Sequence, residues 1–342
     1  MAYTTIDNPA LFFNTVLYTG NGSTNTITGV GFQPDWVWIK NRSNTSSHNI
    51  FDAVRGVTKA IFTNATDAEA TEASRLSAFN SDGFTINGDT SNQTNESGSN
   101  FVSWNWKAGG SASSNSNGSI TSSVSANTTA GFSIVSYTGT GSAATIGHGL
   151  STSPSMILVK NRSTTYSWIV YHKSLGATKN LYLDLTNASD TSSIQFNDTE
   201  PTSSVFSVGT SLATNKSGDN LIAYCFAEKA GYSKFGSYTG NGADQQFIYT
   251  GFAPKFLLFK GTSNTSNWIL FDDQRLTYNA TYGRDRLLFP VDNSAEQDNS
   301  SDGGVDMLSN GFCFRGTASM TGTTELNESG ASYIYMAFAE AP

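Results

Sequence analysis

Three histidines and two cysteines are the side chains best suited to bind a metal or attack a substrate: His48, His148, His172, Cys225 and Cys313. None of the histidines has a second ligand at a spacing typical of a metal site. A nucleophilic cysteine needs a neighbouring base and positive surroundings. Neither surrounds these two cysteines, which we interpret as small buried apolar residues. The sequence therefore predicts no metal, no cofactor and no enzymatic activity.

A carboxylate and a guanidinium recur three residues apart at two places in the chain. Asp52 and Arg55 correspond to Asp272 and Arg275. Such a pair can grip a polar ligand, or it can tie a turn to a sheet. We favour the structural ion pair, because the corresponding segment 171–175 lacks both charges. Glycoside hydrolysis needs two carboxylates facing one bond, and no such pair recurs in the chain.

Two tryptophans are the candidate ligand-binding residues. Trp168 and Trp268 occupy corresponding positions, at which an earlier part of the chain has His48. An exposed aromatic ring can bury the apolar face of a sugar, and aromatic rings are also common in the cores of β-sandwiches. We predict sugar contact if the two rings lie at loop tips, and a core role if they are buried.

Composition limits what the chain can bind. The 342 residues carry only 13% charged side chains and a net charge of -8. A nucleic-acid-binding protein normally presents a basic surface, and a membrane span needs about 18 consecutive apolar residues. The chain has neither feature, so we expect no nucleic acid and no membrane insertion.

Three landmarks occur in the same order three times. The first is Tyr-Thr-Gly-Asn-Gly at 18–22 and 238–242, with Tyr-Thr-Gly-Thr-Gly at 137–141. The second is an apolar run that begins at Pro and ends in Lys, at 34–40, 154–160 and 254–260. The third is Ser-Gly followed by an apolar strand, at 101–106, 221–226 and 333–338. Units of about 100 residues are the size of whole domains.

These units predict an all-β protein of three tandem β-sandwich, jelly-roll-like domains. Each Pro-to-Lys run is apolar on both alternating faces, which is typical of a strand buried on both sides. We place the domains at 1–109, 132–230 and 231–342. Residues 110–131 are rich in Gly, Ser and Asn and predict an exposed, flexible linker with at most one short strand. Because the second junction is short, we expect units two and three to pack together more rigidly than units one and two.

One stretch resembles a helix. Residues 65–78 are rich in Ala, Glu and Thr but lack an apolar stripe. We expect at most a short surface helix there, with Glu69 and Glu72 exposed.

The repeated motifs resemble a repeat family found in virion proteins of tailed bacteriophages, particularly marine phages. The likeness covers nearly the whole chain. It includes Tyr-Thr-Gly-Asn-Gly, the Gly-Phe-Gln-Pro-Asp-Trp-Val-Trp-Ile-Lys-Asn-Arg of 31–42, and the Trp-Asn-Trp-Lys-Ala-Gly of 104–109. The resemblance implies a structural or tail-fibre-like protein exposed on the phage particle, and it transfers no catalytic or ligand residues.

Two roles follow from this resemblance. In the first, the chain is a tail-fibre or receptor-binding appendage that contacts host-surface glycans, with avidity from its repeated units. In the second, it is a decoration protein bound to the phage head. An enzyme such as a depolymerase ranks third. We narrowly favour the appendage, and we expect other virion proteins as partners. A homotrimer and a pseudo-threefold arrangement within one chain both remain open.

Overall fold

Short antiparallel strands joined by turns fold the chain into three all-β units. The structure, a computed structural model, describes residues 6–275, 285–299, 303–316, 319–320 and 324–340. The units follow one another along the chain and match the three sequence repeats, which confirms the predicted fold class. Glycine permits the tightest turns: Gly83 has a φ of +142°, and an added Cβ would lie 2.0 Å from the Ile27 carbonyl oxygen.

The bounds of the strands and helices are as follows. Unit one begins with a 3₁₀ turn at Pro9–Leu11 and contains β1 Phe13–Thr19, β2 Asn25–Ile27, β3 Trp36–Asn41, β4 Asn49–Asp52, β5 Lys59–Phe62, β6 Ala70–Thr71, β7 Leu76–Asn80, β8 Gly83–Ile86 and β9 Asn100–Trp106. Unit two contains β10 Ser113–Asn115, β11 Ser122–Asn127, β12 Phe132–Thr138, β13 Ala144–Gly147, β14 Met156–Asn161, β15 Ile169–His172, β16 Lys179–Tyr182, β17 Asp190–Thr191, α1 Ser193–Phe196, β18 Val205–Val208, α2 Leu212–Asn215 and β19 Asn220–Phe226. Unit three contains β20 Ser233–Thr239, β21 Phe247–Tyr249, β22 Pro254–Gly261, β23 Trp268–Asp272, β24 Asp285–Leu287, β25 Gln297–Asn299, β26 Gly303–Leu308, β27 Gly311–Gly316, β28 Ser319–Met320, β29 Thr324–Glu325 and β30 Ser332–Ala339.

Each unit pairs a large inner sheet with a small outer sheet. The inner sheets have the strand orders β1-β9-β3-β4-β5-β6, β10-β11-β12-β19-β14-β15-β16-β17 and β20-β30-β22-β23. The outer sheets are β2-β8-β7, β13-β18 and β21-β27-β26. Apolar residues between the two sheets form a separate sandwich core in each unit.

The inner sheets are buried on both faces, as the sequence predicted. In β3, Val37 and Ile39 face the outer sheet of their own unit. Trp36 and Trp38 face the opposite way, into a core that all three units share. All four side chains are at most 1% exposed. The second face of each inner sheet therefore packs against the other two units rather than against water.

Aromatic rings from all three units meet in this central core. The ring centroid of Trp106 lies 4.6 Å from that of Trp36 in unit one, 6.3 Å from Phe226 in unit two and 5.6 Å from Phe338 in unit three. Tilted and edge-on contacts of this kind add to the apolar area that the rings bury. The three inner sheets thus enclose one common interior.

The segment predicted as a flexible linker is ordered instead. Its strands β10 and β11 extend the inner sheet of unit two, with Val124 opposite Val135 on β12. Ile120, Val124 and Ala130 supply the buried apolar side chains. The Ser and Thr residues around them are compatible with a strand, because alternate positions face water. A composition typical of a linker is therefore compatible with a docked segment when a few apolar residues are buried.

The helix expected within 65–78 is absent from that fully described stretch. The stretch contains β6 and the start of β7. The short helices α1 and α2 lie in unit two. Without an apolar stripe the segment has no face with which a helix could pack against the core. Pairing with the neighbouring strands determines its structure instead.

We predict that the three units unfold in one cooperative transition, because they share the central core. Trp106→Ala should lower the free energy of unfolding by about 3–5 kcal/mol and shift the whole transition in calorimetry. The matched control is Tyr249→Ala, which removes an aromatic side chain that is 59% exposed and should change stability by about 0.5 kcal/mol or less. Separate transitions, with only one moved by Trp106→Ala, would contradict a shared core.

Candidate functional site

The structure buries both candidate ligand-binding tryptophans, so of the two roles considered for them the core role applies and the argument for sugar contact is removed. Trp168 is 0% exposed and Trp268 is 1% exposed. Both side chains belong to the central core. A ring covered on both faces cannot stack on a sugar. The two residues instead mark the junctions between units, where the buried polar groups of the chain are concentrated.

At each junction, the ring at this position points its N–H group at a main-chain carbonyl of the preceding unit. The Nε1 of Trp168 donates to Phe62 at 2.8 Å, and that of Trp268 donates to Tyr182 at 2.7 Å. In unit one the position is His48, whose Nδ1 accepts from Trp38 at 3.0 Å. Its Nε2 therefore carries the hydrogen. This nitrogen lies near the Phe289 carbonyl of unit three but does not meet the geometry of a hydrogen bond to it.

A buried lysine repeats the same cyclic pattern. The lysines are Lys40, Lys160 and Lys260, which are the next-to-last residues of β3, β14 and β22 and are all 0% exposed. Each Nζ donates across a junction to a main-chain carbonyl of the neighbouring unit. That carbonyl lies four residues after the one that faces the Trp or His ring at the same junction. The acceptors are Asn293 at 3.5 Å, Thr66 at 2.8 Å and Thr186 at 3.2 Å, respectively. Unit one thus bonds to unit three, unit two to unit one, and unit three to unit two.

Burial perturbs the charge of these lysines. Desolvation lowers the pKa of Lys40 and of Lys160 to about 8, although nearby carboxylates oppose the change. Desolvation lowers the pKa of Lys260 to about 7. A neutral amine still donates two hydrogen bonds, so the bonds across the junctions do not require the charge.

Two of the three junctions also carry a largely buried cluster of one glutamate and two arginines. At the junction of units one and two, Glu69 accepts from Arg162 at 2.8 and 3.1 Å and from Arg55 at 3.2 Å. At the junction of units three and one, Glu296 accepts from Arg42 at 2.8 and 2.8 Å and from Arg275 at 3.2 Å. Burial alone would raise the pKa of each glutamate, but the hydrogen bonds and charges of the two arginines outweigh it and lower the pKa.

The predicted Asp–Arg pairs are structural ion pairs at these same two junctions. Asp52 binds Arg55, and Asp272 binds Arg275 with Nε 2.5 Å from Oδ2; all four side chains are fully buried. Each aspartate also reaches across a junction. Asp52 accepts from the Tyr224 hydroxyl at 2.6 Å, and Asp272 accepts from the Trp104 indole at 2.9 Å. The ion pairs therefore join units as well as turns.

The remaining histidines and cysteines lie in enclosed positions. His148 and His172 are 0% exposed, and burial lowers the pKa of both, that of His172 to about 4. Burial raises the pKa of the thiols of Cys225 and Cys313, which disfavours the reactive thiolate. Among the described residues, no group of three His, Cys, Asp or Glu side chains is placed to hold a metal ion.

The sequence reasoning missed the residues that carry most of the charge at the junctions. Glu69 was expected on an exposed surface, but its side chain is only 12% exposed. Alignment of the repeats would have found it, because Glu69 follows Phe62 by seven residues and Glu296 follows Phe289 by seven. The Glu–Arg clusters lie at the junctions of units one and two and of units three and one. At the junction of units two and three, Glu228 instead pairs with Lys173 at 2.6 Å and with Lys234 at 2.8 Å. The greater rigidity of this junction stays a prediction.

The buried charged groups described above bind one another across the junctions. A family model described as a domain of unknown function (DUF7483) matches residues 8–342. Neither the search of curated proteins nor that of solved structures finds a match. None of the described helices combines the length and apolar character needed to cross a membrane.

We predict that stability rises with pH above neutrality because of the buried lysines. Between about pH 7 and 10.5, the unfolded chain holds a proton on Lys260 that the folded chain has released. The unfolded state then binds more protons, so the free energy of unfolding increases with pH. Lys260→Met should reduce that slope by up to about 1.4 kcal/mol per pH unit, as measured by urea unfolding at pH 7, 8 and 9. Exposed Lys179→Met is the control, and a wild-type slope in Lys260→Met would contradict the prediction.

We also predict that the charge clusters stabilise the junctions more than surface ion pairs do. Glu69→Gln removes the counter-charge of two arginines and should destabilise the protein by about 2–4 kcal/mol in denaturant unfolding. The neighbouring Glu72 pairs with Arg75 at 3.4 Å and is 32% exposed, so Glu72→Gln should cost about 1 kcal/mol or less. Equal effects of the two substitutions would show that burial of the cluster adds nothing.

Proposed function

The chain belongs to the DUF7483 family, whose function is unknown, and we propose that it is a non-enzymatic structural protein of a bacteriophage particle. On the surface of that particle it forms part of a tail-fibre or receptor-binding appendage. The single observation that carries the proposal is that the buried ionisable groups form bonds between units. The lysines, the Asp–Arg pairs and the glutamates bond one unit to the next, which is what a rigid building block requires.

The sequence motifs and the surface composition support the same role. The repeats resemble those of phage virion proteins over nearly the whole chain. The low content of charged residues, 13%, and the abundance of Ser, Thr and Asn give a surface that makes contacts by hydrogen bonds. Such contacts depend weakly on salt. The net charge of -8 keeps the protein away from a polyanionic genome.

One observation favours the second candidate, a decoration protein on the phage head. The burial of Trp168 and Trp268 removes the residues on which the sequence-based argument for host glycans rested. A decoration protein needs only a complementary patch of about 800 Å² for the shell.

We predict that an antibody against the recombinant protein labels the tail in immunogold electron microscopy of intact particles. Gold confined to the tail supports the appendage, and gold distributed over the head supports the decoration protein instead. Particles that lack the protein, made by deleting its reading frame, provide the control for specificity. Absence of label from intact particles, together with absence of the protein from their denatured components, would refute a virion role.

A further inference from the structure

The junction of units two and three lacks the glutamate and the two arginines that form a cluster at each of the other two junctions. The position of Arg42 and Arg162 is Thr262, the position of Glu69 and Glu296 is Ser189, and the position of Arg55 and Arg275 is Leu175. The backbone at this junction is nevertheless unchanged. The main-chain N–H of Ser189 donates to the Thr262 carbonyl at 2.9 Å, as the main-chain N–H of Glu69 does to the Arg162 carbonyl at 2.9 Å. The side chains alone have become smaller.

An open groove lies where these side chains would be. It has a volume of about 610 Å³ and is lined by Leu175, Ser189, Ser237, Thr239, Thr262 and Ser332, among others. In unit two, the guanidinium of Arg162 lies 3.2 Å from the Ser136 hydroxyl. Ser136 corresponds to Ser237 in the repeats. The groove therefore occupies the place of the missing arginine.

A second lobe adjoins the groove at Ala188 and Ser189, which line both. It has a volume of about 570 Å³ and is lined by Tyr182, Asp190 and Thr265, among others. The half-buried Tyr182 donates its hydroxyl hydrogen to Asp190 at 3.1 Å. Both lobes fall within the range of about 300–1,000 Å³ that is typical of ligand sites.

We propose that this groove binds a neutral oligosaccharide. Its walls present the hydroxyl groups of serines and threonines, each of which both donates and accepts hydrogen bonds, as sugar hydroxyls do. The charged side chains along it are Lys179 and Asp190, which are of opposite sign and give no net attraction to an ionic ligand. Tyr182 and Leu175 supply apolar surface for the C–H groups of the sugar.

This inference deepens the appendage proposal and rests on it for the source of the ligand, which would be a host-surface glycan. It replaces the buried tryptophans with a site that solvent reaches. Binding itself depends only on the groove, so it is tested with the purified chain, while immunogold labelling tests the place in the particle. The two proposals can therefore fail separately.

The decisive variant restores the missing charges. Ser189→Glu combined with Thr262→Arg rebuilds the pair found at the other two junctions and fills the groove. The probes are an array of neutral hexasaccharides (malto-, cello-, laminari-, manno- and chitohexaose), with oligogalacturonate and sialyllactose as acidic probes. We expect the wild type to bind at least one neutral probe. The double variant should bind it at least tenfold more weakly, with an unchanged or higher melting temperature.

A second variant and a control protect the test against misfolding. Thr239→Trp fills the same groove from an exposed position and should weaken the binding at least tenfold as well. Tyr249→Ala alters the exposed aromatic side chain on β21, outside the groove, and should leave binding unchanged. The proposal is overturned if the wild type binds no neutral probe on an array that a reference lectin reads correctly. It is also overturned if binding persists in the groove variants, or is lost in Tyr249→Ala.

Discussion

The two apolar faces of each inner sheet are the constraint on which the rest of the structure depends. A sheet of a single sandwich buries one face against its partner sheet and exposes the other to water. Here Trp36 and Trp38 occupy the face that would be exposed. A unit on its own would leave such a face in water, at about 25 cal/mol for each Å² of apolar area. When three sheets turn these faces toward one another, all three faces are removed from water.

Closing a core among three units forces polar groups inside as well. The strands that end in Lys40, Lys160 and Lys260 run into the junctions, so their amines have to find acceptors or stay unpaired at a cost of about 1–3 kcal/mol or more each. The carbonyls of the neighbouring unit provide the acceptors in each case. The same contact that satisfies an amine also sets the distance between two units. Specificity at the junctions therefore follows from hydrogen bonding, while the aromatic core supplies most of the apolar burial.

Local patterns in the sequence predicted the strands and the repeats, because both depend on residues close together in the chain. Val37 and Ile39 alternate with Trp36 and Trp38, and that alternation alone indicated burial on both sides. The partner on the second face is a different unit, which no local pattern identifies. For this reason the sequence alone does not distinguish a ligand contact from a core position for Trp168. The position of Glu69 is likewise decided by Arg162, 93 residues away.

The absence of all three members of the Glu–Arg cluster from the third junction has a physical explanation. In the other clusters each charge is the partner of the next, so removing one member leaves a buried charge unpaired, which costs about 3–5 kcal/mol. A member can therefore be exchanged for an uncharged residue only together with its charged partner, and here the exchange extends further. His172 replaces the aspartate of the pair, and Met336 stands where Tyr224 and Trp104 present their donor groups. A neutral histidine, its pKa lowered by burial, needs no arginine, and a methionine needs no carboxylate. This junction therefore replaces the Asp–Arg pair and the Glu–Arg cluster as a whole with uncharged side chains, and the smaller size of those side chains leaves the groove open.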